Sequence, residues 1–239
     1  MPHWIPPADR LVVALDTDDV DRARVLARQL DGLAGVLKIG MGLYFQPGAS
    51  RLMDELIGAG RRVFLDAKAY DIPETVRRAV RSAAGRGFHM MTVHAEPEVM
   101  DAAASVPRGR MMLLGVTVLT SMNGAALARM GYGGTVEELV ERRVKDAALA
   151  SMDGFIASAA DNPGHIRRRC GAEHLLAVTP GIRPAGSPGN DQARTATPRS
   201  AILNGADYLV VGRPITAAPD PAEAARAIVA EISETSPAA

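Results

Sequence analysis

The chain has one cysteine, Cys170, among 239 residues. A lone thiol excludes an intrachain disulfide and a zinc site built on several cysteines, and it fits a reducing cytoplasm. Aromatic residues are also scarce, at 4%, so a core must be assembled from Ala, Val, Leu, Ile and Met. Neither sign of charge is in excess: Lys and Arg number 27, Asp and Glu number 27, and the formal net charge is zero. That is not the basic balance of a protein that grips nucleic-acid backbones, though it leaves room for one local basic pocket. No apolar run reaches the ~20 residues of a membrane-spanning helix. Residues 1–10 carry Trp4 and three prolines without the apolar stretch of a signal peptide. Residues 1–9 read as an N-terminal tail and 234–239 as a loose polar C-terminal tail. The expectation is a cytoplasmic protein with no membrane and no nucleic-acid partner.

What the chain does have is 47% hydrophobic residues, much of it in short β-branched runs. Eight such runs occur, at 11–15, 36–39, 62–65, 90–93, 112–119, 154–157, 175–178 and 208–211. Each is followed by a polar or glycine-containing turn, and most then by helical periodicity. Residues 18–30 put Val20, Ala23, Leu26 and Ala27 on one stripe, 135–150 do the same with Leu139, Val140, Val144 and Ala147, and 221–232 form a third such stretch. Strands alternating with helices predict a parallel sheet, because a parallel connection needs a long crossover. Runs apolar throughout predict strands buried on both faces. Eight units in this length predict an α/β protein of the (β/α)8 TIM-barrel class, with residues 1–239 as a single domain. The competing architecture is a doubly wound open sheet. The seventh unit is irregular: residues 183–191, RPAGSPGND, read as a long Gly/Pro-rich loop.

Polar residues gather at the C-terminal edges of the runs: Asp16, Lys38, Asp66 with Lys68, His94, Thr120 with Ser121, Ser158, Pro180 with Gly181, and Gly212 with Arg213. In a barrel these edges meet at one mouth, where such enzymes do chemistry. The return of polarity at a strand end accounts well for Ser158, and for His94 about as well as a functional role does. Lysines set against apolar strands, as Lys38 and Lys68 are, require a partner or a purpose. Within residues 64–73 (FLDAKAYDIP), Asp66 and Lys68 are two apart and share a side of an extended strand. Asp71 follows past the turn. Alone, this pattern reads as a rim salt bridge or as a catalytic group, and Thr120-Ser121 reads as a helix cap or a ligand contact. Gly212-Arg213, before a predicted helix, offers backbone N–H groups and a guanidinium fork suited to a phosphate. Asp16, Asp66, Asp71 and His94 have ligand chemistry for Mg²⁺. Lys38 and Lys68 compete for those carboxylates, however, so neither metal nor cofactor is expected.

Taken in order, Val-Ala-Leu-Asp16, Leu-Lys38-Ile-Gly, Asp66-x-Lys68-x-x-Asp71-Ile-Pro, Val-Thr-Val-Leu-Thr120-Ser121-Met, Thr-Pro180-Gly-Ile-Arg183-Pro, Asp191-Gln192 and Val-Gly212-Arg213-Pro run through the chain. In these the sequence resembles the orotidine 5′-phosphate decarboxylase family, in its bacterial form, over nearly the whole length. The resemblance implies cofactor-free conversion of orotidine 5′-phosphate to UMP in de novo pyrimidine biosynthesis. It implies that Lys68 protonates C6 of the pyrimidine, with Asp66 near the departing carboxylate and Lys38 and Asp16 on the ribose hydroxyls. Asp71 and Thr75 would reach into the neighbouring site of a homodimer. Thr120 and Ser121 would meet the pyrimidine edge and Pro180 would line the substrate. Arg183 and Gln192 would bracket a lid that closes on the phosphate held by Gly212 and Arg213. Ala67, Ala69 and Tyr70 depart from the family's usual bulkier apolar and aromatic or His residues. Two other readings stand beside this one: a metal-dependent sugar-phosphate decarboxylase or aldolase of the same barrel superfamily, and a non-catalytic nucleotide-binding barrel.

Overall fold

A computed structural model describes residues 4–184 and 195–235. Its strands are β1 (Leu11–Ala14), β2 (Val36–Gly40), β3 (Val63–Ala69), β4 (Met90–His94), β5 (Met112–Val116), β6 (Gly154–Ile156), β7 (Leu176–Thr179) and β8 (Tyr208–Val211). All pair in parallel in chain order, and β1 pairs with both β2 and β8, so the sheet is a closed barrel. That closure rules out the open sheet. Around it run α1 (Val20–Gln29), α2 (Ala49–Gly58), α3 (Pro73–Arg86), α4 (Pro97–Ala104), α5 (Val136–Leu149), α6 (Pro163–Cys170), α7 (Pro198–Leu203) and α8 (Pro221–Ser233). Among the described residues, no helix is long and apolar enough to cross a membrane.

The strands are apolar on both faces because each face meets a different core. Val12, Ala14, Val36, Phe64, Leu114 and Val210 fill the barrel interior. The alternate residues, such as Leu11, Val13, Leu37, Ile39, Leu209 and Val211, pack outward under the helices. A fully buried Leu or Val contributes about 1.5–3 kcal/mol over its exposed state. Five of these eight helices start at a side-chain cap, supplied by Asp19, Thr135, Asn162, Thr197 and Asp220. Asp19 accepts from the N–H groups of Asp21 and Arg22 at 2.8 and 3.1 Å. Thr135 and Glu138 form a reciprocal capping box, so Thr135 precedes α5 rather than beginning it.

Two strands end well away from where the sequence reading placed them. β3 continues past Leu65 to Ala69, carrying both charged residues of the motif inside the strand. β5 stops at Val116, and at the next residue both the hydroxyl and the N–H of Thr117 donate to the Ile156 carbonyl, at 2.7 and 3.4 Å. The described part of the N-terminal tail is tied down. Pro7–Arg10 form a 3-10 turn, Ile5 packs on the inner core, Asp9 pairs with Arg62, and Arg10 donates to the carbonyls of Ala206 and Asp207. Gly35 makes this docking possible, since a Cβ there would lie 2.4 Å from the Asp9 Cα.

Candidate active site

The C-terminal ends of the strands enclose a cavity of about 490 Å³. Its floor is apolar, formed by Phe64, Val116, Ile156 and Val210 from the barrel interior, and charged side chains stand on its wall. The Lys38 ammonium lies 3.0 Å from Asp16 Oδ1 and 3.4 Å from Asp66 Oδ2. The Lys68 ammonium lies 2.8 Å from that same Asp66 oxygen. The result is an alternating row, Asp16–Lys38–Asp66–Lys68, drawn from the ends of β1, β2 and β3. Lys38 is buried, Asp66 nearly so, and Lys68 is about one-third exposed toward the cavity. Gly40 keeps room for the row: a Cβ there would come within 3.0 Å of Asp16 Oδ1 and 3.1 Å of Lys38 Nζ.

Asp66 and Lys68 do share a side, but plain strand alternation is not the reason. Lys68 has φ +46°, in the left-handed region, which costs an L-residue about 1–2 kcal/mol. Between Leu65 and Ala69 the chain takes four steps while β4 takes two, from Met91 to Val93. The extra residues form a bulge, a device that re-aims side chains beside active sites. Thr92 of β4, fully buried, fills the gap. Its hydroxyl accepts the Lys68 N–H at 2.9 Å and donates to Asp66 Oδ1 at 2.9 Å. Sequence reasoning missed Thr92 because a threonine inside an apolar run carries no signal of its own.

Burial is the largest influence on the Asp66 carboxyl and raises its pKa. The charges of Lys38 and Lys68, with hydrogen bonds from Lys68 and Thr92, outweigh burial and hold the group below the usual carboxylate range. Asp66 is therefore a fixed anion between two ammonium groups. His94, half-buried at the end of β4, is lowered first by burial and then by the charge of Arg143. Its ring lies 5.2 Å from that of Tyr70. Behind it, buried Arg143 ties Glu96, the Tyr132 hydroxyl and the Thr117 carbonyl together, bracing the ends of β4 and β5.

The opposite wall is cationic. Arg183, after β7, and Arg213, after β8, both line the cavity. Arg183 is lowered by burial and then by the like charge of Arg213. Two guanidinium groups that repel each other beside a cavity favour an anion between them. Only a short helical turn, Arg213–Thr216, follows Gly212, so this wall rests on side chains more than on a helix end. Thr120, Pro180 and Gly212 also line the cavity. Ser121 is exposed and not part of the lining. Gln192, and residues 185–194 of the expected lid, lie outside the described residues.

Asp71 and Thr75 are exposed and away from the cavity lining. Among the described residues, Asp71 Oδ1 accepts only its neighbour's N–H, that of Ile72 at 2.7 Å. Ala67 and Ala69 border a smaller void of about 230 Å³ together with Ala79 and Ala83, consistent with small side chains replacing larger ones. A further cavity, about 530 Å³, opens where the strands begin, among Arg61, Arg62, Arg81, Arg108 and Arg110. It is of similar size, but barrel chemistry resides at the C-terminal mouth.

Fold and site together define a (β/α)8-barrel enzyme whose catalytic mouth combines an ammonium–carboxylate row with a cationic wall. A sequence model of the "Orotidine 5'-phosphate decarboxylase / HUMPS family" matches residues 9–228. The orotidine 5′-phosphate decarboxylase of Afipia carboxidovorans is 49% identical over 228 residues, covering 95% of this chain and 96% of the relative. That of Caulobacter vibrioides is 45% identical, covering 94% and 97%. The crystal structure of orotidine 5′-phosphate decarboxylase from Lactobacillus acidophilus superposes with a TM-score of 0.81 at 32% identity, covering 93% of this chain and 98% of that one. The chain belongs to the orotidine 5′-phosphate decarboxylase / HUMPS family.

Proposed function

We propose that this protein decarboxylates orotidine 5′-phosphate to UMP in de novo pyrimidine biosynthesis, without metal or cofactor, as a cytoplasmic homodimer folded as one domain. The observation that carries the reading is the Lys68 ammonium held 2.8 Å from Asp66 on the wall of an apolar-floored cavity. In the reaction the bond from C6 to its carboxylate breaks, CO₂ leaves, and the electron pair stays on C6. Lys68 stabilises that charge and then transfers a proton from Nζ to C6. Solvent returns the proton to the amine. Asp66 keeps both lysines oriented, and its charge lies near the departing carboxylate. Like charges 4 Å apart repel by about 4 kcal/mol at an effective dielectric of ~20. We assign the larger share of catalysis to preorganised charge, with that repulsion secondary.

Lys38 and Asp16 meet the ribose hydroxyls, Thr120 and Pro180 meet the pyrimidine, with Ser121 turning in from outside the lining when substrate binds, and Arg183, Gln192, Gly212 and Arg213 meet the phosphate. Closure of the loop over the phosphate would express remote binding energy at C6. Asp71 and Thr75 act in the partner's site. Support for the second subunit comes from the apolar side chains exposed on either side of Asp71: Tyr70 is 66% exposed and Ile72 67%.

The test is loss of orotidine phosphate absorbance on adding purified protein, with and without EDTA. Turnover is expected and should survive chelation. Turnover abolished by EDTA would transfer the protein to the metal-dependent sugar-phosphate branch. Tight UMP binding with no turnover would make it a binding module.

A further inference from the structure

We infer that Thr92 is a positioning residue for the decarboxylation, acting through the backbone of Lys68 and the carboxylate of Asp66. This rests on the reading of Lys68 as the proton donor. Three threonines are fully buried among the described residues: Thr92, Thr117 and Thr179. The Thr117 hydroxyl donates to a main-chain carbonyl, that of Ile156, and the Thr179 hydroxyl has no partner among the described residues. Thr92 alone among them binds site residues, and both of its bonds cross from β4 to β3.

Each bond fixes one coordinate of the site. The bond from the Lys68 N–H holds a backbone that a lysine does not adopt freely, at φ +46°. The hydroxyl stands where the bulge has removed a regular ladder partner and so satisfies an N–H that would otherwise be buried and unpaired. The bond to Asp66 Oδ1 fixes the rotation of the carboxylate, leaving Oδ2 to face both Lys38 and Lys68. Thr92 is too deep to meet a ligand in the cavity and is absent from its lining. Its effect therefore falls on how Lys68 is aimed, and less on how tightly substrate is held.

Thr92→Val keeps the shape and removes the hydroxyl, Thr92→Ala is a second hydroxyl-free variant should valine disturb folding, and Thr92→Ser restores the hydroxyl. The valine variant should lower kcat about 10- to 100-fold, the scale of a misplaced reacting group, with KM and UMP affinity little changed. The serine variant should recover most of the lost kcat. A valine or alanine variant that binds UMP and keeps near-normal kcat overturns the inference. So does a serine variant as slow as valine, since bulk rather than the hydroxyl would then matter. Lys68→Ala, assayed alongside, separates the two claims. If it is inactive while Thr92→Val is normal, only the role of Thr92 is lost. If it turns over normally, the reading of Lys68 is lost as well.

Discussion

Arg183 and Arg213, from the ends of β7 and β8, bring two positive charges to one wall of the barrel-mouth cavity, where burial first and the charge of Arg213 second lower the pKa of Arg183. Such a pair is poised for a dianion. Arg213→Ala should weaken UMP and substrate binding about 10- to 100-fold, the equivalent of one or two charge-assisted hydrogen bonds. In steady-state kinetics kcat/KM should fall more than kcat. A variant with reduced kcat and unchanged KM contradicts the phosphate assignment.

Lys68→Ala removes the proton donor and leaves the phosphate wall intact. Turnover should fall by more than the roughly 10²–10⁴-fold typical of general-acid loss, since an electrostatic contribution goes with it. UMP binding, followed by calorimetry, should persist. Near-normal turnover in this variant would refute the role.

The depressed pKa of Asp66 links the site to stability. The unfolded carboxyl binds a proton near the ordinary value of about 3.9, before the folded one does. The ionised form therefore contributes stability fully above that pH, and the contribution disappears as pH falls through the lower folded value. Asp66→Asn should destabilise the protein by about 2 kcal/mol near neutrality, less than for a fully dry pair because the cavity admits water. In urea unfolding the gap between variant and wild type should close on acidification below about pH 4. A gap that widens there has the wrong sign.

Asp71 lies outside the cavity of its own chain, which leads to a mixing experiment. Asp71→Ala and Lys68→Ala should each be inactive as pure dimers. Coexpressed, they should form hybrids in which one site holds both an intact Lys68 and an intact partner Asp71, so activity should reappear. Failure to regain activity in verified hybrids would return Asp71 to a surface role.

Much of this was legible in the chain. Lys38 and Lys68 were conspicuous because an ammonium against an apolar strand must be paired, and both are paired, with Asp16 and Asp66. Thr92 was not legible: its value depends on a bulge in the neighbouring strand. The Arg143–Glu96–Tyr132 brace was hidden for a similar reason, since its members are far apart in sequence and converge only when β4 and β5 pair.

The sequence by itself determined the number and order of strands, their burial on both faces, and which polar residues end them, because periodicity and composition are local properties. Only the tertiary structure decided how Asp66 and Lys68 come together. Alternation on an ideal strand predicts the same side, yet the contact is made through a left-handed lysine and a two-residue bulge held by a buried hydroxyl. Local propensity disfavours that backbone. It persists because a hydrogen bond from the adjoining strand and the charge of Asp66 together outweigh its cost.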